Sequence, residues 1–266
     1  MIKLSYLGQS DKDVTAFIKR LPLLKMNTIN FTAYEMLPLC GEGPAIAFSR
    51  FLTLSKKVVY GAYTLTNAYR KNHKDLCGNE SDNSLWVRSM YFESAIESYN
   101  KVVDYIYIIL YFNYELYKKF NHVKKINTKK DIIEASKKVK GKKNLDMIDN
   151  WLSLNESTAD FATEFNTYIL FVGKMRDLAN DIKHRGCIAV EGTTLSRCTK
   201  VTREIDGKKV DITELVSEVK INLDDEIENL VEVHRRTLEI QQSLYKTCNF
   251  QKTLNDFLES NNLQIK

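Results

Sequence analysis

Proline is nearly missing from this chain: Pro22, Pro38 and Pro44 are the only three, and none follows position 44. Proline breaks helix interiors, so everything after Pro44 is free to form long helices. The first 44 residues, which also hold Gly8, Gly41 and Gly43, read as an irregular arm with one short helix near residues 13–20. Cysteine is sparse as well. Cys40, Cys77, Cys187, Cys198 and Cys248 are odd in number, widely spaced and without a CxxC pair, which argues against a disulfide framework or a thiolate zinc site and fits a reducing cytoplasm. The four histidines, His73, His122, His184 and His234, fall on separate elements, and there is no Walker loop, GxGxxG, HExxH or GxSxG. The sequence thus supports neither a cofactor nor a metal centre. Long apolar runs are missing too: MIKLSYLGQSDKD at the start has no signal-peptide core, and VVDYIYIILYF contains Asp104 and is too short to span a bilayer. The expectation is a soluble protein with no membrane partner.

What remains is helical periodicity. Gly43-Pro44 is a favourable helix start, and Phe48, Phe51, Leu52, Val58, Val59, Ala62, Leu65 and Tyr69 keep helical spacing to about residue 73. A second long helix is expected over residues 85–120, apolar along two lines, which implies burial on more than one side. Its tyrosines and phenylalanines read as core rather than as a base-stacking surface. Residues 118–143 then carry eleven lysines against Asp131 and Glu134, a net charge of +9 where the whole chain has +5. Such a patch attracts polyanions, RNA among them. With no arginine and few aromatics it reads equally as a solvated loop and a short amphipathic helix.

The central element is expected over residues 156–186, with Asn155 as N-cap. Phe161, Phe165, Tyr168, Val172, Met175, Ala179 and Ile182 form one apolar seam. Lys183, His184 and Arg185 before Gly186 make an ordinary helix stop. Off the seam, Arg176, Asn180 and His184 recur at i, i+4 and i+8 and so form one polar row, with Asp177 and Asp181 beside it. Further on, Asp206-Gly207 marks a hairpin turn between 201–205 and 208–212, and Asn222 opens a last long helix to about residue 248. His234 falls on the apolar side of that helix and reads as structural. A short helix near 254–258 closes the chain.

The segment ANDIKHRG, residues 179–186, resembles the motif of the HEPN superfamily, in particular bacterial members whose helix ends in an RN-x-x-KHRG-like sequence. Asn180, Ile182, Lys183, His184, Arg185 and Gly186 match, while Ala179 stands where the motif has arginine and Arg176 lies about one turn earlier. The order of long helices is similar over about residues 45–250. The resemblance implies an all-α, HEPN-like bundle over 45–266 with a small β-hairpin insertion at about 187–215, following the arm of residues 1–44. It also implies a homodimer whose paired motifs form one cleft, and a metal-independent endoribonuclease in toxin or antiviral defence, with a neutralising partner as a further expectation. His184 would be general acid/base, Arg176 or Arg185 would contact phosphate, and Asn180 would orient RNA. The alternatives are a non-catalytic RNA-binding or dimerisation module on the same fold and an unrelated helical scaffold for another protein.

Overall fold

The computed structural model describes residues 9–24, 35, 37–73, 76, 81–185, 188–192, 202–205, 208–211 and 220–261. The helices are α1 (Asp11–Lys19), α2 (Leu37–Cys40), α3 (Glu42–Tyr69), α4 (Ser81–Asn113), α5 (Leu116–Lys119), α6 (Lys129–Lys138), α7 (Lys142–Leu154), α8 (Ala159–Phe171), α9 (Gly173–Arg185), α10 (Leu223–Cys248) and α11 (Phe250–Ser260). Two minimal sheets accompany them: β1 (Ala189–Val190) runs parallel to β4 (Lys220–Ile221), and β2 (Thr202–Ile205) pairs antiparallel with β3 (Lys208–Asp211). The fold is therefore an all-α bundle with a small hairpin, as the periodicity predicts. Ile205 pairs with Lys208, the register a two-residue connection demands, although Asp206 and Gly207 lie outside the described residues. No described helix is long and apolar enough to cross a membrane.

The chain forms two compact units, one of residues 1–22, 60–97 and 174–234, the other of 23–59, 98–173 and 235–266. In the first unit, Ser10 and Asp13 form a capping box that starts α1. Phe17 stacks on Tyr69 with ring centroids 3.9 Å apart. The Arg88 side chain is buried, donating from Nε to the Ala68 carbonyl at 2.8 Å and pairing with Asp224, which also meets Lys71 at 3.3 Å. Leu65, Phe92, Ile96, Leu223, Ile227 and Leu230 of the same unit are buried. Each such side chain contributes about 1.5–3 kcal/mol by leaving water. Asn222 Oδ1 accepts from the N–H groups of Asp224 and Asp225, so the expected start of the last long helix is observed.

The second unit is built on the two apolar lines of α4, where Tyr99, Val102, Val103, Ile106, Ile109 and Leu110 are all buried. The aromatic residues expected to be core are core here: Tyr111, Phe112 and Tyr117 are fully covered. Gly43 is required by close approach, since a Cβ there would lie 2.6 Å from the Phe112 carbonyl oxygen.

Three boundaries differ from the sequence expectation. The helix expected over 85–120 ends at Asn113, because Glu115 takes a left-handed conformation at φ 50° before α5 begins. The helix expected over 156–186 is two, interrupted at Val172 (φ −82°, ψ 5°) and resumed at Gly173. A β-branched residue followed by glycine is a weak helical pair, and the apolar seam keeps its phase across the interruption. Asn155 is not the N-cap either. Its Oδ1 accepts from the N–H and hydroxyl of Ser157, and α8 starts after Thr158, whose hydroxyl donates to the Leu152 carbonyl at 2.7 Å.

Candidate functional site

The candidate site sits on α9, in the first unit. Met175, Ala179 and Ile182 recur at four and three and are all buried, which fixes the rotation of the helix about its axis. Lys174 pairs with Glu226 at the start of the helix. The same rotation leaves Asn180 and His184 exposed and Arg176 half-buried. None of these three makes a hydrogen bond or ion pair with a described residue. They form the expected row, at steps of about 6 Å along the axis, so Arg176 and His184 are about 12 Å apart along it and about 80° apart around it. Lys183 is exposed beside them. Arg185 is the last residue of the helix, and Gly186 lies outside the described residues.

Two consequences follow from this geometry. Within one copy, two helical turns separate Arg176 and His184, so the helix backbone does not bring them to one point. Ala179 is only 6% exposed, so the position that carries arginine in the RN-x-x-KHRG-like motif here faces the core.

The other histidines are of a different kind. His234 is fully buried, with Nε2 2.7 Å from the Pro22 carbonyl oxygen, in keeping with the structural role expected of it. His73 contacts the Asn67 carbonyl at 3.0 Å and stacks near Tyr91. His122 Nδ1 lies 2.8 Å from the Tyr111 hydroxyl. Burial holds all three imidazoles below their ordinary pKa. Among the described residues, no cluster of three or more His, Cys, Asp or Glu is arranged to hold a metal ion.

No family model, curated protein or solved structure matches this chain. Its function has to be read from its own chemistry.

Sequence reasoning missed two openings in the second unit. One, of about 630 Å³, lies along α8 and α10 and is lined by Thr167, Phe171, Arg236, Glu239 and Ser243 among others. The other, of about 550 Å³, is lined by Phe120 and by Met147, Trp151 and Leu154 of α7. The spacing of Met147, Trp151 and Leu154 was a visible signal for the second. What it meets was not, because Phe120 lies far off in sequence.

Proposed function

We propose that the protein is a HEPN-type, metal-independent endoribonuclease that acts as a homodimer in toxin or antiviral defence. The observation that carries this reading is the polar row of half-buried Arg176 and exposed Asn180 and His184, unpartnered among the described residues and held in a fixed orientation by the buried Met175, Ala179 and Ile182. A two-fold axis perpendicular to α9 sets two such rows antiparallel. With the axis near Asn180, each Arg176 then stands across from the His184 of the other copy, so the separation within one chain is made good between chains. Exposed Tyr60, Tyr63, Trp86 and Met90 in the same unit offer apolar area for the pairing.

In the reaction, His184 accepts the proton of a ribose 2′-hydroxyl as that oxygen attacks the adjacent phosphorus. Imidazole suits this because one ring nitrogen can accept a proton while the other carries one. The guanidinium of the other copy's Arg176 takes the charge that develops on the phosphoryl oxygens. The proton held by His184 passes to the 5′-oxygen as it leaves, giving a 2′,3′-cyclic phosphate and a 5′-hydroxyl. Asn180 hydrogen-bonds RNA between the two.

A second reading keeps the fold and the RNA contact without turnover, and buried Ala179 favours it. Incubating RNA with wild type, His184→Ala and Arg176→Ala in EDTA, with circular dichroism as the folding control, separates the two. Cleavage by wild type alone supports the enzyme. Equal cleavage by His184→Ala contradicts the assignment, and folded proteins that bind RNA but never cut it establish the second reading.

A further inference from the structure

The lysine-rich segment carries the short amphipathic helix its sequence predicts, after an exposed turn. Thr128 and Asp131 form a capping box that starts α6, Ala135 and Val139 are buried beneath it, and Ile126 anchors the turn before it. Asp131 is occupied in that box, accepting from the N–H groups of Asn127 and Thr128. Backbone and side-chain hydrogen bonds to it hold its carboxyl below the usual range. Glu115 pairs with Lys118. None of the other lysines in residues 118–143 forms a salt bridge with a described residue. Their charge is therefore displayed on an ordered frame.

The same frame carries aromatic surface. Lys119 Nζ lies 4.4 Å from the centroid of the Trp151 ring, and Tyr114 packs against that ring at 5.0 Å. The half-buried indole lines an opening of about 550 Å³ together with Phe120, Met147 and Leu154, the last 78% exposed. Asn150 and Glu156 bring an amide and a carboxylate to the same opening. On α7, Lys143, Met147 and Trp151 recur at i, i+4 and i+8, so Lys143 shares a drifting row with the indole about 12 Å along the axis from it. An opening lined by Trp151 and Phe120, with an amide and a carboxylate to meet base edges and Lys119 beside the indole, suits an unstacked base on a flexible polyanion.

We propose that this surface of the second unit is a single-stranded nucleic-acid site, with a base stacked on Trp151 and phosphates held by Lys119 and Lys143. It does not rest on cleavage at His184, and it binds in a protein that cannot cut. The test uses the full chain carrying Trp86→Phe, which leaves Trp151 as the sole indole, and His184→Ala, which removes the proposed cutting. A short oligouridine is titrated in EDTA. The site predicts quenching of Trp151 fluorescence and binding that weakens steeply with salt. Trp151→Ala should lower affinity by about tenfold or more while Trp151→Phe keeps most of it, stacking being worth about 1–3 kcal/mol per base. Lys119→Ala with Lys143→Ala should flatten the salt dependence, and this pair covers the case in which Trp151→Ala unfolds. Oligouridine that fails to bind, or binds without quenching and indifferently to Trp151, overturns the proposal. So does equal binding and quenching by heparin or polyglutamate, which would mark a surface for acidic partners without bases.

Discussion

The row on α9 and the surface formed by α5, α6 and α7 both present cations to solvent, yet they are opposite kinds of object. The first is a motif without local convergence: Arg176, Asn180 and His184 are set by one helical phase, and nothing in their own chain brings them to a common point. The second is a convergence without a motif, because Lys119 and Trp151 meet only when α5 packs beside α7. A motif is read along one helix and specifies chemistry before geometry. A packed surface specifies geometry first, and its chemistry follows from what happens to meet there.

The largest expected effect separates the two regions directly. His184→Ala should lower RNA cleavage by about 100-fold or more, the usual worth of a general acid or base, and leave Trp151 quenching intact. An oligonucleotide titration beside the cleavage assay checks both at once, and loss of quenching would merge the two sites. Among the histidines, His234→Ala should cost about 1–3 kcal/mol in urea unfolding, because the Pro22 carbonyl loses a buried partner and a cavity opens. His184→Ala, at an exposed position, should cost less than about 0.5 kcal/mol. Equal costs would erase the distinction between a structural and a surface histidine. Trp151→Ala should reverse the first pattern, leaving the cleavage chemistry in place while RNA binds about tenfold more weakly.

Acid should also act on buried His234 and His73 and half-buried His122. Burial favours the neutral imidazoles of His234, His73 and His122 in the folded state and lowers their pKa, so the unfolded chain takes up protons first as pH falls. Their contribution is fully present above about pH 6.5 and is lost as pH drops from there through the folded-state values. Urea midpoints measured at about pH 7.5 and about pH 5.5 should show the lower stability in acid; an unchanged midpoint would contradict it. A small stabilising effect belongs to the interruption before α9. A Cβ at Gly173 would meet nothing within 4 Å. Gly173→Ala should therefore stabilise by about 0.4–1 kcal/mol in the same assay, and destabilisation would show that glycine is needed there.

The sequence revealed whatever one element decides alone. The seam from Phe161 to Ile182 is buried throughout, Asn222 caps α10, and residues 205 and 208 pair as a two-residue turn requires. The break at Val172 was invisible because the apolar phase continues across it. Asn155 misled because an Asx side chain that satisfies a turn looks like one that caps a helix. The two-residue pairing of β1 with β4 joins segments about thirty residues apart with no local signal. The polar row of α9 and the burial of Ala179 beside it were both legible from spacing. The Trp151 surface was not legible, since its cation comes from another helix.

The central claim is that two copies complete one another, Arg176 of each serving His184 of the other, and mixing inactive variants tests it most directly. Arg176→Ala and His184→Ala, each inactive alone, are combined under conditions that exchange subunits, and RNA cleavage is measured in EDTA. The account predicts that activity returns on mixing, because the mixed dimer holds one intact pair. Two folded, RNA-binding variants that exchange subunits and stay inactive would contradict it.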